Sequence, residues 1–378
     1  MIKLLFTGDL SCTGNFKTSV ENNREIFSQQ LLSLFKNYSH IICNFEGAAT
    51  KLKNIYRSDC DVRSPDESIE YFQERNILVY NLANNHVFDC GYDGFKNTRD
   101  KILKGGGIYF GAGKNIEEAS RVEYISKDDI TIGLIGVCHK EGLIASKNTE
   151  GVFCDIYEDR IKSKIIKAKT KCDWLILNYH GGEEYTRYPM PKKRSKLKEY
   201  LNYGADVIIG HHPHVVQGIE KIHNKFIFYS LGNFIFDIEQ QRNKKYISDS
   251  VLLDIRFTKS KITYSNIPIK IDASNEKIFI QDEFKGFRGL SHFSNYTRRW
   301  QQECYRVVCI DDSLKSLKFD YIKKIFKRFP LLIILGNFIK FKRLLYGRNY
   351  RPVLYGALLF YLKTIFKYDE RLEIISND

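Results

Sequence analysis

The stretch Val207-Ile208-Ile209-Gly210-His211-His212-Pro213-His214 decides how the rest of the chain is read. Three β-branched residues make a short run suited to a strand buried on both faces, and the run ends in a turn carrying three imidazoles. Pro213 has a fixed φ, which helps hold the flanking imidazoles at a set separation. The same plan recurs through the first 270 residues. Ile2 to Phe6 leads to Asp9, Ile41 to Cys43 leads to Glu46, and Ile77 to Tyr80 leads to Asn85-His86. Trp174 to Leu177 leads to His180, and Phe226 to Tyr229 is a further run of this kind.

Helical patterns lie between several of these runs. Ser64-Pro65-Asp66-Glu67 has capping-box spacing and predicts a helix through about Arg75. Arg24 to Asn37 and Lys192 to Tyr203 repeat apolar residues at helical spacing, and Val251 to Ile280 returns to strand-like alternation that completes a sheet. Strands alternating with helices predict an α/β architecture whose ligands gather beyond the carboxyl ends of the strands. With 378 residues, 43% hydrophobic, 28% charged and only 7 Pro, a disordered or low-complexity chain is excluded. The expected organisation is one domain over 1–284 and a basic, aromatic-rich helical region over 285–378.

The turns then define the chemistry. Asp9, Glu46, Asn85, His180, His212 and His214 form a set of two carboxylates, one amide oxygen and three imidazoles, which suits borderline divalent ions such as Mn²⁺, Fe²⁺ or Zn²⁺. A carboxylate shared by two neighbouring ions would let the pair activate water, and Glu46 is the candidate bridge. Plainer readings exist for single members, since a His at a strand end often serves as a hydrogen-bonded structural residue and Asp9 after Gly8 can simply close a turn. Five of the nine histidines fall in three such turns, which favours the ligand set. Either His211 or His212 can be the ligand, whereas His40, His139, His223 and His292 read as structural or surface residues. Nine cysteines without a C-x-x-C pair read as reduced thiols.

Gly8-Asp9, Asn44-Phe45-Glu46-Gly47, Asn81-Leu82-Ala83-Asn84-Asn85-His86 with Asp89 and Gly91, and His180 with Gly182, Glu184 and Tyr185 keep a fixed order. They are followed by Gly204-Ala205-Asp206-Val207 running into Gly210-His211-His212-Pro213-His214, and by Tyr229-Ser230-Leu231-Gly232-Asn233-Phe234. Over about residues 1 to 270 this series resembles the CapA family of poly-γ-glutamate capsule synthesis proteins, a branch of the calcineurin-like metallophosphoesterases. The resemblance implies a four-layer α-β-β-α sandwich with a two-metal site. It implies Asp9 and His214 on the first ion, Asn85, His180 and His212 on the second, and Glu46 bridging them. His86 becomes the acid or electrostatic stabiliser that faces the substrate, and Asp89 either orients His86 or caps the turn. Two departures stand out: Ser11 occupies the position where the superfamily has a metal-binding His, and the bridge is Glu46 instead of Asp. Gly181 stands where the family often has Trp.

Competing chemistries lack their motifs. There is no G-x-x-x-x-G-K-[ST] phosphate loop, Gly105-Gly106-Gly107 lacks the later glycine of a dinucleotide fingerprint, and Phe228 precedes Ser230 where a nucleophile elbow requires Gly. The resemblance therefore points to a CapA-like, metal-dependent hydrolase acting on a phosphoester or amide of an anionic cell-surface polymer, together with other polymer-synthesis proteins. A generic metallophosphoesterase would instead turn over simple phosphoesters, and a polymer-binding scaffold on the same fold would tolerate loss of His86.

Charge is concentrated at one end. Residues 285–378 hold 19 Lys and Arg against 8 Asp and Glu, and 315–363 hold 12 against the single Asp320, interleaved with aromatics. That pattern suits peripheral contact with an anionic membrane, or a helical cap on the catalytic domain; nucleic acid is not an expected partner, because no recognised module is present. Phe329 to Ile339 and Pro352 to Leu362 are too short to span a membrane, and the five apolar residues near Met1 are too few for a signal-peptide core. The expected location is cytoplasmic, at or near the inner membrane face.

Overall fold

The computed structural model describes residues 1–56, 61–282, 286–290 and 295–307, together with 352, 355–357 and 359. The region 315–363, on which the membrane expectation rests, lies almost wholly outside them. The chain runs through β1 (Ile2–Leu10), α1 (Phe16–Glu21), α2 (Gln29–Phe35), β2 (His40–Phe45), α3 (Ser68–Gln73), β3 (Ile77–Asn81), α4 (Gly91–Lys104), β4 (Ile108–Phe110) and β5 (Ala112–Gly113). Next come α5 (Ile116–Ala119), β6 (Glu123–Lys127), β7 (Ile130–Cys138), β8 (Gly151–Val152), α6 (Glu158–Lys169), β9 (Trp174–His180), α7 (Pro191–Tyr203) and β10 (Val207–His211). It continues with β11 (Ile219–Ile222), β12 (Lys225–Phe228), β13 (Asn233–Ile235), β14 (Asp249–Phe257), β15 (Ile262–Asp272), β16 (Lys277–Ile280) and α8 (Tyr296–Arg306).

Two sheets carry the fold. The first has the order β16-β15-β14-β1-β2-β3-β4 with β13 also paired to β1, and the second has the order β11-β12-β10-β9-β7-β6. Alternation along the strands builds three layers of core. Leu4, Phe6, Ile42 and Val79 of the first sheet meet Leu134, Ile176, Val207 and Ile209 of the second in one buried cluster between the sheets. The intervening Leu5, Ile41, Cys43 and Tyr80 face outward onto Phe16, Leu31, Phe35, Phe72 and Phe95 of α1 to α4. On the far side, Leu175, Leu177 and Ile208 pack with Ile161, Ile165, Leu197 and Trp300 of α6, α7 and α8. Strands apolar on both faces require covering on both, and the result is the α-β-β-α sandwich expected from the sequence.

Local readings differ in two places. Ser64 does not cap a helix: its Oγ accepts from the Cys12 N–H at 2.9 Å, and the helix begins at Ser68, whose N–H reaches Pro65 O. The stretch from Arg24 is extended before it turns helical, because Ile26 and Ser28 exchange backbone hydrogen bonds with Ile278; the Ser28 hydroxyl then caps α2. The antiparallel β14 to β16 extend the first sheet as the alternation over Val251 to Ile280 predicts. The described cysteines are free thiols, all buried except the half-buried Cys172. Beyond position 285, Leu290 pairs with Ile219 of the second sheet's edge, and Tyr296, Trp300 and Cys304 join that sheet's outer core. No helix among the described residues is long and apolar enough to cross a membrane.

Candidate metal centre

The site forms where the parallel strands of both sheets end together. Gly8 permits it, since a Cβ there would lie 2.0 Å from Gly232 O, where β1 and the β12–β13 connection touch. The register of β1 slips against β2 between Phe6 and Asp9, and against β13 between Asp9 and Leu10. Such an irregularity re-aims a side chain, and here it involves Asp9. Asp9 Oδ2 accepts the His212 N–H at 3.0 Å, and Asp9 Oδ1 accepts Asn44 Nδ2–H at 2.9 Å. Asn44 and Glu46 are two residues apart and share one face of the extended chain at the end of β2.

All six expected ligands are brought together. Asp9, Glu46 and His180 offer donor atoms within 4.8 Å of one another, and so do Glu46, His212 and His214; Glu46 belongs to both groups. Asn85 joins them through its Oδ1, 2.8 Å from His180 Nε2. His211 is not in either group; its Nδ1 lies 3.4 Å from Asp9 Oδ1. All six are buried. His212 and His214 have φ of 91° and 58°, a left-handed backbone that non-glycine residues adopt at a cost and that clusters at functional sites.

The electrostatics suit a cation. Burial drives the imidazoles of His180 and His212 well below the ordinary histidine value, and neighbouring histidines add to it, so both rings are neutral and have lone pairs to offer. Both ring nitrogens of His212 are buried without a hydrogen-bond partner, which is costly for a polar group that has no ligand to meet. Two carboxylates, an amide oxygen and three imidazoles fit borderline divalent metal ions.

His86 stands beside this group. Its Nδ1 is 2.6 Å from Asp89 Oδ2, and its Nε2 is 3.8 Å from Glu46 Oε1. Asp89 therefore contacts the ring directly, as an orienting residue does. Ser11 turns away, with its hydroxyl bonded to Val62 O at 3.1 Å.

Several residues without an assigned role in the sequence hold the ligands in place. Asn44 Nδ2 faces both Asp9 Oδ1 and His180 Nδ1, the latter at 3.1 Å, while Asn44 Oδ1 accepts from Asn81 at 2.8 Å. Asn84 Oδ1 accepts from the N–H groups of Gly47 and His86, and Asn233 Oδ1 lies 2.9 Å from His214 Nδ1. The position of these asparagines inside the motifs is their only sequence signal. His139, read as structural or surface, has its backbone N–H on His180 O and its ring on the buried Asp155 at 2.8 Å. A Cβ on Gly181 would meet His139 Cβ at 2.3 Å, so the His139 side chain occupies the space beside Gly181.

The family described as bacterial capsule synthesis protein PGA_cap matches residues 3–238. The PGA biosynthesis protein CapA of Bacillus subtilis is 30% identical over 295 residues, covering 73% of this chain and 76% of that one. The capsule biosynthesis protein CapA of Bacillus anthracis is 33% identical over 219 residues, covering 55% of this chain and about half (53%) of that protein. Among solved structures, a phosphatase from Mycoplasma pneumoniae aligns over 73% of this chain and 90% of its own at 13% identity and a TM-score of 0.42. By the family match across the whole ligand-bearing region, the chain belongs to the bacterial capsule synthesis protein PGA_cap family.

Proposed function

We propose that the chain is a metal-dependent hydrolase that acts in the biosynthesis of a bacterial capsule or cell-surface polymer of the poly-γ-glutamate type. The observation that carries this reading is Glu46, a buried carboxylate common to both donor groups. Two divalent ions, Mn²⁺, Fe²⁺ or Zn²⁺, would be held by Asp9, Glu46, Asn85, His180, His212 and His214. The family resemblance implies Asp9 and His214 for one and Asn85, His180 and His212 for the other, with Glu46 shared, whereas the donor groups pair Asp9 with His180 and His212 with His214. Two such ions, when bound, lower the pKa of water and stabilise negative charge that develops on a displaced group.

The protein's own residues supply the rest. Asp89 fixes the His86 ring through Nδ1, which leaves Nε2 to donate a proton to the leaving oxygen or nitrogen of a phosphoester or amide. Burial of the ligand shell keeps bulk water from the carboxylates and strengthens their hold on a cation. Relatives named for PGA or capsule biosynthesis support an anionic polymer as substrate and other polymer-synthesis proteins as partners. The basic region 315–363 is the proposed contact with an anionic membrane at its inner face; pelleting with anionic liposomes should be lost when 315–378 is removed.

The central test is metal content and turnover together. The full chain reconstituted with Mn²⁺ or Zn²⁺ should retain close to two ions and hydrolyse a γ-glutamyl amide or a phosphoester. His86→Ala should lower turnover by about 10²–10⁴ with the ion content unchanged. Full ion content with turnover of neither substrate class would leave a polymer-binding role for the fold.

A further inference from the structure

Two carboxylates outside the proposed ligand set close on one buried nitrogen. Glu141 Oε2 lies 3.7 Å from His212 Nε2, and Glu184 Oε1 lies 3.9 Å from the same atom. His212 is 1% exposed, and both its ring nitrogens are buried with no hydrogen bond. An imidazole that binds a metal presents one bare nitrogen to the ion and carries its proton on the other. A carboxylate at that second nitrogen fixes the tautomer, orients the ring and raises its basicity.

Both carboxylates are held by segments attached to other members of the centre. Glu141 lies in the turn after β7, and its neighbour Gly142, at φ 72°, approaches Asn85 so closely that a Cβ would sit 2.7 Å from Asn85 O. The same turn begins with the His139 N–H on His180 O at 2.8 Å. Glu184 precedes Tyr185, whose N–H donates to Pro213 O at 2.8 Å and whose ring stacks on His214 at 6.2 Å. The side chains of Glu141 and Glu184 are only 10% and 26% exposed. Backbone contacts thus tie both segments to the centre.

We propose that Glu141 and Glu184 are positioning residues of the metal centre: their carboxylates, 3.7 and 3.9 Å from His212 Nε2 and so just beyond hydrogen-bond distance, favour the proton on Nε2 and leave Nδ1 of that ring for the ion. The inference rests on the metal reading of the site, and it adds that the affinity of one ion is set by two carboxylates that are not ligands.

The test is titration of the metal-free full chain with Zn²⁺ and with Mn²⁺, for wild type, Glu141→Ala, Glu184→Ala and the double variant, alongside their metal-free thermal midpoints. The expected result is weakening of one ion by about 10- to 100-fold in the double variant, full stoichiometry at saturating metal, and unchanged metal-free folding. Glu141→Gln and Glu184→Gln, which keep an acceptor oxygen, should restore part of the affinity. In ¹⁵N-histidine-labelled, Zn²⁺-loaded protein, His212 should show the Nε2–H tautomer in wild type. Unaltered affinity in the double variant overturns the inference and leaves the metal centre standing. Loss of an ion even at saturation also overturns it, by making one carboxylate a direct ligand. Wild type that binds neither metal overturns the centre itself.

Discussion

The two sheets hold their halves of the centre in different ways. On the first sheet, the loops bearing Asp9, Glu46 and Asn85 are tied by neutral amides: Asn44 to Asp9, Asn81 to Asn44, and Asn84 to Gly47, His86 and Phe45 O. On the second, the loops around His180, His212 and His214 are braced by charge. The buried Lys193 ammonium, which burial pushes down to about 8, donates to Gly181 O at 2.6 Å, and Arg306 donates to Tyr185 O at 2.9 Å. Glu303 receives Arg187 and Arg306 together, and Asp155 receives His139, Tyr179 and Lys196. Amide hydrogen bonds respond little to pH or salt, whereas buried ion pairs depend on both partners keeping their charge. The first half should therefore behave as a fixed frame, and the second as the half that conditions can loosen.

The largest effect tests whether the halves meet at Glu46. Glu46→Ala should abolish retention of both ions, and His212→Ala should remove about one, as measured by elemental analysis after reconstitution. Retention of one ion by Glu46→Ala would show two independent sites and break the shared-carboxylate picture.

Next in size is the bracing of the second half. Glu303 belongs to α8, and burial alone would raise its carboxyl; Arg306 and Arg187 overcome that and hold it below the usual range. Removing one partner of such a buried group leaves the others uncompensated, so Glu303→Ala should cost about 3 kcal/mol in denaturant unfolding. A cost well under 1 kcal/mol would mean that α8 is dispensable to the loop that carries Tyr185.

A smaller and pH-dependent effect is expected at Asp155. Burial raises its carboxyl, but the hydrogen bond and charge of His139 and the ammonium of Lys196 outweigh this and hold it at about 2, against an ordinary 3.8. A carboxyl depressed in the folded state stabilises above its unfolded value, and that stabilisation disappears as pH falls from about 3.8 through about 2. The difference corresponds to about 2 kcal/mol at neutral pH. Asp155→Asn should lower stability by about that amount at pH 7 and flatten the acid limb between pH 4 and 2. An acid limb identical to that of wild type would assign the loss to packing.

This contrast also explains what the sequence could show. The candidate residues Asp9, Glu46, Asn85, His180 and His212 are legible because each lies at or within a few residues of the end of an apolar run, where an α/β fold gathers its ligands. Strands apolar on both faces predict an α/β architecture, and the four layers come from the family resemblance. The capping-box spacing at Ser64 is a local signal, and a tertiary contact with the Cys12 N–H overrides it. The extended start before α2 was hidden for the same reason, since its partner Ile278 is some 250 residues away in the chain. The Asn84 and Asn233 contacts, and the approach of Glu141 to His212, depend on how loops from distant strands pack, which no spacing encodes.

The smallest effect belongs to the residue that joins the halves. Asn44 lies one residue before the end of β2 in the first sheet, yet its Nδ2 faces both Asp9 Oδ1 at 2.9 Å and His180 Nδ1 of the second sheet at 3.1 Å. His180 Nε2 is in turn 2.8 Å from Asn85 Oδ1. With an amide group at each ring nitrogen the orientation of His180 is fixed, and the Asn44 amide nitrogen sets that ring from the opposite sheet. Asn44→Ala removes that donor and leaves Asn81 Nδ2 without its acceptor, a cost of about 1 to 2 kcal/mol for a buried amide pair. Thermal unfolding of the metal-free chain should show this loss in Asn44→Ala and a non-additive loss in the double variant with His180→Ala, because both changes delete the same contact. Strict additivity would mean that the two sheets are held in register by their apolar interface alone, and that the amide frame of the first half ends at Asp9.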